Sequence, residues 1–300
     1  MNYKIKALVQ NILSNIPFGE RINYYLQKNL SHSLPINEIA FRLKVEEALF
    51  HIQSYKKFSS NREIRYFEFG AGWDMIVPLV LRLEGCNELT CIDIRRLIFP
   101  ELIENSIERL SKNFDQYSSI LNSFDTKQLY NDPETFLKDK FNINYIAPSD
   151  ARKTNIESNS IDLISSTATF EHIPKKIISE ILKESQRILS SDGILSCTID
   201  YKDHYSYFDR SISIYNFLQF EDKTWNYLNP SLHYQNRLRH IDYLQIFEDA
   251  GFKLLFEELV YPDDNEKAIL EKIVLADTFK NYSLDSIAIK SSRLVFRKIK

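Results

Sequence analysis

Residues 64–85 read IRYFEFGAGWDMIVPLVLRLEG, and this stretch decides the fold. Ile64 to Phe69 is rich in the branched and aromatic residues that favour a strand, and it runs into Gly70-Ala71-Gly72. Apolar residues then recur at helical spacing through Ile76, Val77, Val80, Leu81 and Leu83, and Gly85 stands where a helix C-cap belongs. Pro78 fits that helix only inside its first turn, so the helix starts near Ile76 and GAGWD is loop. Strand, glycine turn and helix make one βα unit. The chain holds only six glycines, and the last five (Gly70, Gly72, Gly85, Gly193, Gly251) fall at junctions of this kind.

The alternation repeats outward. ELTCIDI predicts a second strand, followed by an amphipathic helix through Leu97, Leu102, Ile107 and Leu110. FNINYIA and IDLISSTA predict the next two strands. Pro174 opens a helix with Ile177, Ile178, Ile181 and Leu182 on one face, and SSDGILSCTID reads as a turn at Gly193 and a strand. Further on, HIDYLQIFEDAGFKLLFEELV reads as helix, glycine cap and strand, and DSIAIKSSRLVFRKI as a last strand. The expected class is α/β: a doubly wound, mostly parallel seven-stranded sheet. Residues 1–60 read as an N-terminal helical segment and 61–300 as one domain, carrying an insertion over 112–140 and a lid over 201–238. Within the N-terminal segment, Ile5, Leu8, Val9 and Ile12 have helical spacing, as do apolar residues from Ile39 to Leu49. Lys4 and Lys6 give the first helix a basic character suited to a membrane surface, but packing on the domain is the expectation.

Composition narrows the function. With 38 Lys+Arg against 41 Asp+Glu, the 300-residue chain has a formal charge of -3 and no field to gather a polyanion, so nucleic acid is not an expected partner. No apolar stretch approaches the roughly 20 residues of a membrane span, and polar groups interrupt every candidate signal core, which points to the cytoplasm. Cys86, Cys91 and Cys197 match neither CxxC nor a zinc knuckle; reduced thiols and no metal are expected.

In an open α/β sheet the ligand sits beyond the carboxyl ends of the strands, where strand order reverses. Gly70 and Gly72 remove side chains there. Asp93 follows the second strand, 21 residues past Gly72, near the spacing at which a carboxylate meets a ribose. Asp150, beside the small Ala151, suits an adenine amino group. A dinucleotide would need glycine where this chain has Met75, whereas the ammonium of S-adenosylmethionine calls for an acid such as Glu68 at the end of the first strand.

On YFEFGAGWD, IDLISSTATFEHIP and SSDGILSCTID, the chain resembles the class I S-adenosylmethionine-dependent methyltransferases from about Ile64 to Phe256. That resemblance implies S-adenosylmethionine as cofactor. Glu68, Gly70 and Gly72 would line its methionine end, with Phe69 and Ala71 between them; Asp93 would meet the ribose, with Ile94 next to it among the cofactor-binding residues, and Asp150 and Ala151 the adenine. Thr167 to Phe170 would form the rim beside the sulfonium. Asp74 stands where the family often has a third glycine, and either reshapes the pocket or caps the helix. The HIP of EHIP is typical of a small-molecule branch, and YKDHYSYFD with NRLRHIDYLQIFEDAGF looks like bacterial enzymes of surface-glycan and secondary-metabolite synthesis. A small-molecule or glycan acceptor is therefore expected; an NAD-dependent oxidoreductase or a non-catalytic cofactor-binding scaffold are the alternatives.

His204, flanked by Asp203 and Tyr205 after the fifth strand, is the candidate base for a hydroxyl acceptor, with His172 of EHIP second. Asp203 orients His204 only if the backbone turns, since neighbours on an extended chain point oppositely. His233 and His240 read as solvated or packed. Arg237 and Arg239 are candidates for an anionic group on the acceptor, against the alternative of surface ion pairs. Tyr201 and Tyr205, with Tyr207, Phe208 and Trp225, would floor the acceptor or pack the lid.

Overall fold

The structure, a computed structural model, describes residues 2–16, 18–30, 33–60 and 63–299; the expected boundary at 60/61 abuts residues outside that set. Three helices come first, α1 (Tyr3–Ser14), α2 (Gly19–Asn29) and α3 (Glu38–Phe58). Then β1 (Arg65–Phe69), α4 (Ile76–Leu83) and β2 (Glu88–Ile92) follow as the sequence predicts. From β2 the chain passes through α5 (Pro100–Asn113), α6 (Asp115–Leu121) and α7 (Pro133–Phe141) to β3 (Ile143–Ile146). Next come β4 (Ile161–Thr167), α8 (Lys175–Ile188), β5 (Leu189–Asp200), α9 (Asp222–Leu228), α10 (His240–Asp249) and β6 (Phe252–Val260). Two short helices, α11 (Asp264–Leu270) and α12 (Leu284–Ala288), precede β7 (Ser291–Lys298).

The seven strands lie in the order β3-β2-β1-β4-β5-β7-β6. The first five are parallel, and β7 runs antiparallel between β5 and β6. Strand order reverses beside β1, because the chain leaves β3 at one edge and returns as β4 on the other side of β1. In such a sheet the ligand site lies at that reversal, beyond the carboxyl ends of β1 and β4.

Alternation along β1 divides the core. Tyr66 joins a cluster with α3 and α4, while Phe67 and Phe69 join one with α8 and α10. Asn37 caps α3 by accepting from Ala40 N at 2.9 Å. Its Phe41, Val45, Ala48, Ile52 and Tyr55, three and four apart, are all buried against α4 and the sheet.

Several expectations change. In α1 the regularly spaced Ile5, Leu8, Val9 and Ile12 face outward, Ile5 at 57% exposure. The helix instead buries Tyr3, Lys6, Ala7, Gln10 and Leu13, because Tyr3 and Ala7 complete an aromatic cluster with Tyr205, Tyr215, Phe217 and Trp225. Residues 112–140 are no appendage: Tyr117, Leu121, Leu129, Phe136, Leu137 and Phe141 share the core with β1 to β3. Gly193 lies inside β5 rather than at a turn, where an added Cβ would come within 2.9 Å of the Asp162 carbonyl oxygen, next to a register shift against β4. The start of DSIAIK is helical, since Ser283 caps α12 by accepting from Ser286 N at 3.2 Å. Cys86, Cys91 and Cys197 are buried free thiols, and no helix among the described residues is long and apolar enough to cross a membrane.

Phe41 of α3 is wholly buried, against Phe114 and the Arg109 guanidinium, so Phe41→Ala is expected to cost about 3 to 5 kcal/mol in urea unfolding. A loss below about 1 kcal/mol would show that α3 is not part of the cooperative core.

Candidate active site

The cleft begins where β1 stops. Gly70 has φ 77° and Gly72 φ 74°, both left-handed, where glycine has no steric penalty. A Cβ on Gly70 would collide with the Thr169 side chain from the β4 loop, so glycine is needed there for space as well. At Gly72 an added Cβ would meet nothing closer than the Gly70 oxygen at 4.0 Å, which leaves that side of the loop open. Gly70 N donates to Ile92 O at 2.9 Å. Gly72 N donates to Asp93 Oδ2 at 3.2 Å and Arg95 N to Asp93 Oδ1 at 3.2 Å, so the two predicted residues are physically joined. Phe69 and Ala71 are buried, Phe69 edge-on to Phe170 at 5.3 Å, and Ile94 is exposed at the cleft side of β2.

Glu68 shares the core side of β1 with Tyr66 and is fully buried. Burial raises its carboxyl to about 8, against the opposing effects of Tyr66 and Lys44. Asp74 accepts from Ile76 N at 3.3 Å and pairs with Lys44 at 2.7 Å, while Met75, with φ 56°, stands at the N-cap of α4 without a side-chain cap. Asp150 differs from expectation: both of its oxygens are taken by the backbone and guanidinium N–H groups of Arg152, at 2.6–3.0 Å. Ala151 is half-buried next to it. Thr167 turns its hydroxyl to His51 Nε2, 3.1 Å away, rather than to the cleft. Ala168, with φ 47°, holds a backbone conformation unusual for alanine at the head of the β4 loop.

A second group of polar side chains gathers beyond β4 and β5. The rings of His172 and His204 are 4.9 Å apart, and His204 stacks on Tyr207 at 5.3 Å. His172 Nδ1 lies 2.7 Å from the Tyr234 carbonyl oxygen. The carboxylate beside His204 is Asp200, with Oδ2 3.6 Å from Nε2; Tyr207 OH donates to the same oxygen and Lys202 lies 3.5 Å from it. Burial alone would raise the Asp200 carboxyl, but His204, Lys202 and Tyr207 together hold it down to about 2. Asp203 does not orient His204. It caps the turn after β5, accepting from Tyr205 N at 2.8 Å and from Asn216 at 3.1 Å, and burial raises it to about 6.

The four expected acceptor ligands are corrected. Arg239 is wholly buried and donates to the carbonyls of Tyr201, Ile287 and Ile289 at 2.7–2.8 Å. Arg237 donates to Phe217 O and Phe220 O and pairs with Asp222 at 2.5 Å. Tyr201 OH bonds Ser292 Oγ at 2.6 Å, Tyr205 OH donates to Leu228 O at 2.7 Å, and both rings are buried. Backbone carbonyls left without a ladder partner need donors, and Arg237, Arg239 and Tyr205 supply them. His240 is packed too, against Glu257 and Tyr201. Sequence reasoning missed Asp200 and Glu171; for Glu171 the signal was present in EHIP, directly before His172.

Because Glu68 titrates above its ordinary 4.5 when folded, the native state holds more protons than the unfolded one between about 4.5 and about 8. Its contribution to stability therefore declines as pH rises through that window. Glu68→Gln removes the penalty, so its melting temperature should gain on the parent's from pH 5 to pH 8 and match it below pH 4. Parallel curves for both proteins would mean that Glu68 is charged throughout.

A methyltransferase-domain family model matches residues 41–256. Among solved structures, the chain is similar to the PH0226 protein of Pyrococcus horikoshii OT3, at 12% identity and TM-score 0.50, covering 92% of this chain and 99% of that one. It is also similar to a SAM-dependent methyltransferase of Methanosarcina mazei (14% identity, TM-score 0.46, 83% and 96% covered). A TehB-like SAM-dependent methyltransferase of Corynebacterium glutamicum shows 12% identity and TM-score 0.44, with 93% and 97% covered. Among curated protein sequences, none matches. These structural likenesses concern the fold. The family match extends from α3 through β6, across both halves of the cleft, and the chain belongs to this methyltransferase family, as an enzyme whose cofactor is S-adenosylmethionine.

Proposed function

We propose that the enzyme methylates a hydroxyl group of a small molecule or glycan precursor, bound in the recess between the ends of β4 and β5. The observation that carries this reading is the His172–His204 pair. A carbonyl can only accept, so His172 Nδ1 carries the proton toward Tyr234 and Nε2 keeps a lone pair. A hydroxyl is a poor nucleophile until its proton leaves, whereas a neutral amine attacks without help. Two imidazoles in one recess suit the first kind of acceptor.

The residues of the cleft fit the cofactor. Gly72 offers open space beside the loop, and the Asp93 carboxylate, joined to Gly72 N and Arg95 N, is a group suited to a ribose hydroxyl. Glu68 lies beneath the loop, where an approaching ammonium would favour its charged form. Met75, at the third position of a dinucleotide fingerprint, is buried in the core, which lends nothing to an oxidoreductase reading. When bound, S-adenosylmethionine supplies a methyl carbon that bonds to the acceptor oxygen as its bond to sulfur breaks with the electron pair left on sulfur. His172 and His204 line the place where the acceptor's proton leaves. Asp200, kept charged, stabilises positive charge gathering there.

Two variants test the two halves. Asp93→Ala should weaken S-adenosylmethionine binding by about 2 to 4 kcal/mol in calorimetry. His204→Ala should keep that affinity and lower transfer of labelled methyl to hydroxyl acceptors by roughly 10²- to 10⁴-fold. Labelled product formed only on amines, at a rate indifferent to His204, would overturn the hydroxyl assignment.

A further inference from the structure

Within the recess, two buried ligand atoms make no hydrogen bond to the described residues. Glu171 Oε1 accepts from Asp200 N at 3.2 Å, but Oε2 accepts no hydrogen bond from the described residues. His204 Nε2 is likewise buried, at ion-pair distance (3.6 Å) from Asp200 Oδ2 but beyond hydrogen-bond reach of any described residue. His172 is anchored through Nδ1 and presents Nε2. Among the described residues, Glu171, His172 and His204 are the group whose ligand atoms converge, all lying within 4.8 Å of one another. A buried carboxylate oxygen without a donor is costly, and native structures keep few such groups without a reason.

We propose that Glu171 Oε2, His172 Nε2 and His204 Nε2 form a site for a divalent transition cation of the zinc or cobalt kind, which in turn holds the acceptor hydroxyl. One ion would satisfy both orphaned atoms. Two imidazoles and a carboxylate suit zinc, cobalt, nickel or iron, whereas magnesium and calcium prefer oxygen shells. Three protein ligands leave a coordination position for an acceptor oxygen, the arrangement of catalytic rather than structural sites. The Tyr234 carbonyl holds the outer nitrogen of His172, as metal-ligating imidazoles are generally held. Asp200 adds negative charge alongside.

Two ligands at about 2.1 Å from a tetrahedral ion stand about 3.4 Å apart, so ligand atoms that now lie within 4.8 Å of one another close by about 1.4 Å at most. His172 is the exposed member of the three. The site rests on the reading of this recess as the acceptor pocket and refines it: a hydroxyl on the cation loses its proton to solvent water near neutral pH. The imidazoles then hold the ion instead of taking the proton.

The test uses the untagged full chain, freed of metal by chelator and titrated with Co²⁺, read by visible absorption and calorimetry. The expected result is one ion per chain with the absorption bands of nitrogen-bound cobalt, displaced by Zn²⁺. His172→Ala, at an exposed position, and Glu171→Gln, checked for folding by near-UV dichroism, should each weaken cobalt binding at least tenfold. Asp93→Ala should retain it while losing S-adenosylmethionine affinity. A parent spectrum indifferent to excess Co²⁺, or a folded His172→Ala protein that binds cobalt like the parent, overturns the site. S-adenosylmethionine binding in the same samples separates the two readings: cofactor bound without cobalt removes the cation site and leaves the methyltransferase reading standing.

Discussion

The close approach of Gly70 to Thr169 is the constraint on which the rest depends. It presses the loop leaving β1 against the loop leaving β4, at the place where the sheet changes direction. A side chain on Gly70 would force the loops apart, and left-handed backbone at Gly70 and Gly72 lets the chain turn over the strand ends. Each of these two loops carries part of the site. On the β1 side, Gly72 is tied to Asp93 and the cofactor half takes shape. On the β4 side, Ala168 in its strained conformation leads to Phe170, Glu171 and His172, and the acceptor half follows.

The segment after β5 obeys a different logic. It has no ladder to satisfy its backbone, so side chains serve as fasteners. Arg237, Arg239, Asn236 and Gln235 donate to carbonyls of neighbouring segments. The aromatic cluster of Tyr205, Tyr215, Phe217 and Trp225 supplies the apolar burial, completed by Tyr3 and Ala7 of α1. Tyr3 N donates to Asp209 at 2.9 Å, and Leu232 N to Ser14 at 3.2 Å, binding the first helix to this layer. The histidine recess is consequently walled by a packed layer with its own small core.

Period and punctuation made the sheet legible: the glycine turn after Phe69, the helix from Ile76 and the spacing from Gly72 to Asp93 all follow from backbone rules that act locally. Roles set by distant partners were not legible. An arginine in an irregular stretch suggests an anion ligand until its carbonyl partners are known, and Arg239 finds them in two separate segments, at Tyr201 and at Ile287 and Ile289. The carboxylate beside His204 is four residues back at Asp200, because the chain turns there, while neighbouring Asp203 faces Asn216. In α1, apolar spacing marked the helix but not the side it buries. That side was decided by an aromatic cluster assembled from residues more than 200 positions away.

The position of β7 bears on how the chain is made. β6 hydrogen-bonds to β7 alone in the sheet, and β7 comes later in the sequence, after residues 261–290. On a ribosome working from the amino terminus, β1 to β5 can assemble as they emerge, each beside a strand already made. β6 cannot join them. It waits with an unsatisfied edge until the later strand slips between it and β5, so the last section of the sheet closes by long-range insertion rather than by growth at a margin.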